Sequence, residues 1–202
     1  MKKILLFGDS NTYGYDPRGK LGNRYPYEIV WTNLLKKELK GQYDIIEEGQ
    51  NGRTLPSIPR DAEYLKNLTS MLGEDDTFVI MLGTNDILLT ANPRPEAAVD
   101  KMNDLLLWAK SELSKVKIIV IAPVNIENQS GDMKEYYEAS VKMNEGFEEV
   151  CEELGITFWD ASKWNVPMAY DGVHIAEEGQ KVFVEHFLSY MNWVLRNKFN
   201  QQ

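Results

Sequence analysis

Three residues of this sequence have the types and the spacing that covalent attack on a carbonyl group would need. His174 follows Asp171 by three residues, with Gly172 between them. This spacing lets a carboxylate turn back and accept the Nδ1–H of the imidazole, which leaves Nε2 free to act as a base. The hydroxyl of Ser10 would become a nucleophile only if such a base removed its proton. Taken alone, the Asp-x-x-His pattern fits an Asp-Gly turn with a helix-capping histidine equally well.

The surroundings of Ser10 leave two other interpretations open. Serine is a favoured helix N-cap, and a glycine-rich turn after a strand can bind phosphate through its N–H groups. The phosphate interpretation is weak, because Gly8 and Gly14 have neither P-loop nor dinucleotide-site spacing and residues 4–17 contain no basic side chain. The second histidine, His186, lies among apolar residues of the last predicted helix, where we expect a structural role.

Apolar runs and helical periodicity predict strands that alternate with helices along the chain. The predicted strands are residues 3–7, 43–46, 77–82, 117–122 and 156–159. The predicted helices are residues 26–39, 57–72, 95–114, 133–154 and 177–197. Five strands separated by helices favour parallel pairing with right-handed crossovers, which predicts a three-layer α/β/α sandwich. We expect residues 1–202 to form a single domain.

Polar side chains and glycines follow the predicted strands, at what would be one edge of the sheet. The four segments are residues 8–14, 47–54, 83–86 and 171–174. Ligands of open α/β sheets bind beyond the carboxyl ends of the strands, so we expect the functional site at this edge. Short carboxylates bond backbone N–H groups in turns, and Asp9 and Asp86 are therefore expected to brace the loops.

Composition and charge exclude several classes of function. The net charge of −9, from 22 basic and 31 acidic residues, repels phosphate backbones and anionic lipid surfaces, so we expect neither a nucleic acid nor a membrane as partner. The apolar run after the N-terminal lysines, residues 4–7, is too short for a secretion signal, and the lone Cys151 cannot form an internal disulfide. These features predict a cytoplasmic protein. One loop histidine is a poor zinc-binding set, so no metal or cofactor is expected, while a homo-oligomer remains open.

Taken together, the four segments resemble the sequence blocks of the SGNH (GDSL-type) hydrolase superfamily. The matching blocks, in the order that the superfamily has them, are Gly8-Asp9-Ser10 with Gly14, then Gly52, then Gly83-Thr84-Asn85-Asp86, and last Asp171-Gly172-Val173-His174. The resemblance implies a flavodoxin-like sheet of strand order 2-1-3-4-5. It also implies that Ser10 is the nucleophile, His174 the base and Asp171 its partner. The implied oxyanion donors are the backbone N–H groups of Ser10 and Gly52 and the side-chain amide of Asn85.

One position departs from the GDSL motif, because Asn11 stands where the motif has leucine. The segment from Gly8 to Tyr15 looks most like that of bacterial arylesterase and acyltransferase-like members. The resemblance therefore implies a serine carboxylester hydrolase for short acyl or aryl esters, with acyltransferase activity open. A carbohydrate acetylesterase, or a lysophospholipase or thioesterase, would use the same residues, and a non-catalytic ligand-binding module is the alternative from another class. Residues expected to shape an acyl pocket are Asn11, Tyr13 and Trp164.

Overall fold

The structure is a computed structural model that describes residues 1–19, 23–128 and 131–199, with side chains described up to residue 192. Five parallel strands form its sheet: β1 (Lys2–Gly8), β2 (Tyr43–Gly49), β3 (Thr77–Met81), β4 (Lys117–Ala122) and β5 (Thr157–Asp160). Their order across the sheet is β2-β1-β3-β4-β5, which confirms the order that the resemblance implies. The chain reverses its direction across the sheet at β1, so a crevice opens between the loops after β1 and β3.

Helices cover both faces of the sheet and confirm the three-layer architecture. They are α1 (Ser10–Tyr13), α2 (Trp31–Glu38), α3 (Ala62–Thr69), α4 (Thr84–Leu88), α5 (Pro95–Glu112), α6 (Lys134–Leu154) and α7 (Glu177–Phe199). Helices α2 and α7 pack on one face, and α3, α5 and α6 pack on the other. Among the residues described, no helix has the length and apolar character that crossing a bilayer would require.

The first strand shows why the sheet has two apolar faces. Successive side chains of a strand point to opposite faces, so Ile4 and Leu6 pack towards α2 and α7 while Leu5 and Phe7 pack towards α3, α5 and α6. All four are at most 1% exposed. A strand covered on both sides has no solvent face to place polar residues on, which explains its unbroken apolar sequence.

The observed bounds differ from the predicted ones mainly at the second strand and in two helices. β2 continues to Gly49, which pairs with Gly8, whereas the prediction ended it at residue 46. Its last residues are polar because β2 is an edge strand, and Glu47 forms an ion pair with Arg24 at 2.7 Å. The predicted helix 26–39 begins only at residue 31, after a turn closed by the carbonyl of Pro26. The predicted helix 57–72 is reduced to residues 62–69.

Candidate active site

Ser10 lies in a tight turn where β1 passes into the short helix α1. The Asp9 side chain caps this helix by accepting the N–H of Asn11 at 2.9 Å. Gly14 ends the helix in the left-handed conformation, with φ of 84°, and donates its N–H to the Ser10 carbonyl. A Cβ at Gly8 would lie 1.9 Å from the hydroxyl of Thr12, so the chain can turn this sharply only with glycine there. The turn places Ser10 at the carboxyl edge of the sheet.

The imidazole of His174 lies between the hydroxyl of Ser10 and the carboxylate of Asp171. Its Nε2 is 3.0 Å from Ser10 Oγ, and its Nδ1 is 2.6 Å from Asp171 Oδ2. The Asp171 side chain is 26% exposed and that of His174 17%, so solvent reaches both only in part. The three side chains therefore form a continuous line of hydrogen-bonding groups, as sequence analysis expected.

Asp171 also organises the loop that carries the histidine. Its Oδ1 accepts the backbone N–H groups of Val173 and His174, each at 3.0 Å, while its Oδ2 contacts the imidazole. Partial burial raises the pKa of this carboxyl, but the hydrogen bonds from the imidazole and from the two N–H groups outweigh burial, so the pKa lies below its ordinary value. Asp171 is consequently ionised wherever His174 would act as a base.

The segment after β2 is fastened to the nucleophile turn. Gln50 donates its N–H to the Gly8 carbonyl at 3.2 Å, and Arg53 Nη1 donates to the same carbonyl at 2.8 Å. Between these two anchors lies Gly52, with φ of 73°. A Cβ at Gly52 would meet nothing within 4 Å, so glycine is needed there for the left-handed backbone rather than for space. The anchors hold the Gly52 peptide in the loop beside Ser10.

Asn85 joins the third segment to the second. Its side chain is only 8% exposed, and Nδ2 donates one N–H to the Arg53 carbonyl at 2.9 Å. The amide carries a second N–H, for which the described part of the chain supplies no acceptor. Ser10 is the first residue of α1, so its backbone N–H has no carbonyl acceptor within that helix. These groups have the donor capacity that a developing oxyanion requires.

Two buried carboxylates support these loops. Asp86, whose side chain is 4% exposed, accepts the N–H of Leu55 and pairs with Lys101, both at 2.8 Å. Asp86 therefore stabilises the segment after β2, which contains Gly52, rather than the turn around Asn85. Asp9 is 2% exposed, and burial raises the pKa of its carboxyl to about 6 in spite of the bond from Asn11 N–H.

In the residues described, no three His, Cys, Asp or Glu side chains are grouped so that they could hold a metal ion.

Asn11, Tyr13 and Trp164 were expected to shape an acyl pocket, and the structure contradicts this expectation for Trp164 and Asn11. Trp164 is 2% exposed and packs in the core, where its ring stacks on His186 with centroids 5.3 Å apart. Asn11 is turned away from solvent and bonds the backbone on both sides of His174. Tyr13 is half-buried beneath the guanidinium of Arg24, 4.3 Å from its ring. The sequence placed all three near rim loops, but which way a loop side chain turns depends on contacts with distant elements.

The structure adds Tyr15, for which sequence analysis predicted no role, to the residues around the imidazole. Its ring lies 4.5 Å from the imidazole of His174, at an interplanar angle of 43°. Gly14, directly before Tyr15, has a left-handed backbone that reverses the chain. In the sequence, this glycine was the signal that could have predicted the return of the Tyr15 side chain towards Ser10. Tyr15 therefore packs against the imidazole.

Comparisons with known proteins agree with this geometry. The model of the GDSL-like lipase/acylhydrolase family matches residues 6–182. A solved protein of Agrobacterium tumefaciens str. C58, assigned as an arylesterase, is 30% identical, with a TM-score of 0.79 over 95% of this chain and 99% of that one. A carbohydrate acetylesterase from Sinorhizobium meliloti is 25% identical, with a TM-score of 0.80 over 96% of this chain and all of the other.

A relative outside the solved structures is the uncharacterised lipoprotein YqeF of Bacillus subtilis. It is 30% identical over 139 residues, which are 66% of this chain and 53% of the lipoprotein. The chain thus spans about half the length of this curated relative. The aryl esterase of Mycobacterium smegmatis, 24% identical with a TM-score of 0.79 over 95% of this chain and 99% of that one, shares the fold.

Proposed function

The chain belongs to the GDSL-like lipase/acylhydrolase family, and we propose that it is a serine esterase that hydrolyses small esters with short acyl or aryl groups through Ser10, His174 and Asp171. The observation that carries this proposal is the line of contacts from hydroxyl to imidazole to carboxylate, at 3.0 and 2.6 Å. A plain Asp-Gly turn with a capping histidine gives no reason for the imidazole to meet a serine 164 residues away.

The proposed reaction has two stages. Ser10 Oγ attacks the ester carbonyl carbon while Nε2 of His174 takes the hydroxyl proton, and Asp171 stabilises the imidazolium that forms. The tetrahedral intermediate then expels the alkoxide, which takes this proton and leaves as an alcohol. Water then attacks the acyl-enzyme while His174 takes one of its protons, the bond between the acyl carbon and Ser10 Oγ breaks, and Ser10 Oγ takes that proton back from His174 as the carboxylic acid leaves. General acid–base help of this kind typically contributes about 10²–10⁴-fold.

The negative charge on the carbonyl oxygen requires donors that are in place before the reaction. In the proposed mechanism, the N–H groups of Ser10 and Gly52 and the free N–H of Asn85 supply them. Such donors act without reorganisation, which makes electrostatic stabilisation one of the larger contributions to catalysis. The bonds that fasten the Gly52 loop to Gly8 and to Asn85 support this assignment.

The space behind the nucleophile turn is closed to an acyl group. Behind the turn, a void lined by Asp9, Asn11 and Ile175 is too small to hold a water molecule. An acyl chain therefore has no room beneath Ser10 and must lie on the solvent side. The arylesterase and acetylesterase relatives support small substrates.

The deciding experiment combines hydrolysis of p-nitrophenyl esters with labelling by a fluorophosphonate. Wild-type protein should cleave the acetate and form a covalent adduct at Ser10, located by peptide mapping. Ser10→Ala should lose both, with an unchanged circular dichroism spectrum, while Ser57→Ala serves as a serine control outside the line of contacts. Full activity in Ser10→Ala overturns the proposal, and absence of labelling in wild-type protein would favour a non-catalytic binding module.

A second candidate, supported by the Sinorhizobium relative, is removal of acetyl groups from carbohydrates. The same Ser10 chemistry applies, so only the leaving group differs. Acetylated sugars and p-nitrophenyl esters of two to eight carbons distinguish the options. Loss of activity beyond four carbons supports the short-chain assignment, whereas a preference for long chains or thioesters favours the lysophospholipase or thioesterase alternative. Ester formation in the presence of an added alcohol measures acyl transfer.

The proposed setting is the cytoplasm, and the proposed substrate is a small soluble ester. The supporting observation is the net charge of −9, which opposes binding to anionic lipid surfaces. Fractionation of the producing cell tests this assignment, and recovery with the membranes contradicts it. Light scattering measures directly whether the chain forms a homo-oligomer.

A further inference from the structure

Asn11 holds the backbone on both sides of His174. Its Nδ2 donates to the Val173 carbonyl at 3.1 Å, and its Oδ1 accepts the Ile175 N–H at 2.9 Å. Asn11 directly follows Ser10, so one side chain connects the nucleophile turn to the two peptides that carry the imidazole. The contact joins segments that are 162 and 164 residues apart.

The bond between Asn11 and Ile175 is part of a closed, buried ring. The Ile175 carbonyl accepts from Gln180 Nε2 at 3.2 Å, and Gln180 Oε1 accepts the backbone N–H of Trp31 at 3.0 Å. Trp31 Nε1 then donates to the Asn11 carbonyl at 2.8 Å, which closes the ring. Asn11 is 8% exposed, and the other three residues are 1% exposed. Water cannot readily replace these partners, so each bond constrains the next.

Only a side-chain amide fits the position of Asn11 in this ring. The two bonds need one donor and one acceptor on the same short side chain, which asparagine has. Leucine has a similar shape but neither group, so it would leave a partly buried carbonyl at Val173 and a buried N–H at Ile175 without their partner. Aspartate lacks the donor and would bring a charge into the ring. The departure from leucine at this position thus has a specific physical role.

We infer that Asn11 is a positioning residue that holds His174 at hydrogen-bonding distance from Ser10, with the ring through Ile175, Gln180 and Trp31 as its support. This inference rests on the proposed function, because it assigns a purpose to the distance between imidazole and hydroxyl. Small misplacements of catalytic groups cost about 10²-fold in rate. The effect should fall on kcat, since Asn11 faces the loop backbone and leaves substrate binding to other residues.

The test compares Asn11→Leu with Asn144→Leu. Asn144 is a matched control because it is 5% exposed and its Nδ2 donates to the Pro123 carbonyl and to Asn125 Oδ1, both at 2.9 Å, and not to the backbone around His174. Asn11→Leu should lower kcat for p-nitrophenyl acetate by about 10- to 100-fold with little change in KM. Asn144→Leu should keep kcat within about threefold of wild type, although both variants lose a buried hydrogen bond. A folded Asn11→Leu protein with wild-type kcat overturns the inference.

A second readout does not depend on turnover. The chain has only two histidines, so the Nδ1 proton of His174 can be followed by NMR and assigned with His186→Gln. We expect this proton to exchange with solvent faster in Asn11→Leu but not in Asn144→Leu, because a loosened loop weakens the contact with Asp171. Unchanged exchange contradicts the inference even if the wild-type protein proves to have no esterase activity, which would overturn the proposed function separately.

If Asn11→Leu fails to fold, Gln180→Met tests the ring from its other side. This variant removes the bonds to the Ile175 carbonyl and to Trp31 N–H but leaves both bonds of Asn11 intact. It should lower kcat by roughly threefold to tenfold and accelerate exchange of the His174 proton to an intermediate extent. Wild-type values for both measurements would overturn the role of the ring.

Discussion

His174 and Ser10 are 164 residues apart in the chain, yet Nε2 of one lies 3.0 Å from Oγ of the other. The contact forms because β1 and the loop before α7 meet at the same edge of the sheet, where Asn11 and Asp171 fix the backbone around the imidazole. An imidazole at this distance can take the hydroxyl proton only while its Nε2 is unprotonated.

The first prediction concerns pH. The kcat/KM for p-nitrophenyl acetate should decline on acidification as His174 becomes protonated, because the imidazolium cannot accept the proton of Ser10. Asp171 has a lowered pKa and stays ionised between pH 5 and 8, whereas Asp9, with a pKa of about 6, titrates within this range, so the profile is recorded in Asp9→Asn as well as in wild-type protein. Initial rates at several pH values give the profile. A flat profile over that range would show that histidine is not the base.

The second prediction concerns the carboxylate. Asp171→Asn should lower kcat on the order of 10⁴-fold, because an amide cannot stabilise the imidazolium and favours the wrong tautomer. Its oxygen can still accept the N–H of Val173, so the loop should keep its shape. Asp160→Asn is the control, since Asp160 also accepts an N–H two residues ahead but lies outside the site. Similar losses in both variants would mean that only loop structure was disturbed.

The third prediction concerns the third oxyanion donor. Asn85→Asp keeps the size of the side chain but replaces the N–H donors with a negative charge, and should lower kcat by at least about 10²–10³-fold with little effect on KM. Asn67→Asp, at an exposed position of α3, should have no effect. Single-turnover kinetics separate acylation from deacylation in both proteins. A kcat close to wild type would remove Asn85 from the mechanism.

The fourth prediction concerns close packing between the second segment and the nucleophile turn. A Cβ at Gly49 would lie 2.3 Å from the backbone nitrogen of Tyr13, whereas at Gly73 the nearest atom is 3.9 Å away. Gly49→Ala must therefore push α1 from its position, and we expect it to lower the free energy of unfolding by about 1–3 kcal/mol together with activity. Gly73→Ala should change neither. Urea unfolding and ester hydrolysis provide the two measurements, and equal behaviour of the variants would contradict the packing argument.

The fifth prediction concerns the buried carboxyl of Asp9. Burial raises its pKa from 3.8 to about 6, so between these values the folded protein keeps a proton that the unfolded chain has released. The contribution of Asp9 to stability is consequently lost as pH rises from about 4 to about 6. Asp9→Asn keeps an acceptor for the Asn11 N–H and removes this titration. Wild-type protein should therefore lose stability between pH 4 and 7 through this group, while Asp9→Asn does not. The free energy of unfolding of Asp9→Asn minus that of wild type should increase by up to about 3 kcal/mol over this range. A difference independent of pH would contradict the assignment.

Much of this protein follows from local sequence. The fourth strand has the predicted bounds, Lys117–Ala122, and the sixth helix ends before Gly155 as expected. Apolar runs report burial on both faces of a strand, and glycine or proline at a helix end reports backbone constraints that act within a few residues. The short blocks around Ser10, Asn85 and His174 follow strand ends, and strand ends of a parallel sheet share one edge. Their meeting could therefore be predicted without coordinates.

The orientation of individual side chains was decided by tertiary structure. Trp164 was expected at the rim but stacks on His186 of α7, and Asn11 was expected in a pocket but bonds Val173 and Ile175. Neither outcome follows from neighbours in sequence, because each depends on a partner more than 20 residues away. The sequence by itself determined which residue types reach the edge of the sheet, since periodicity and turns act locally. The folded chain decided which of them touch, because buried donors and acceptors must find partners among whatever elements pack beside them.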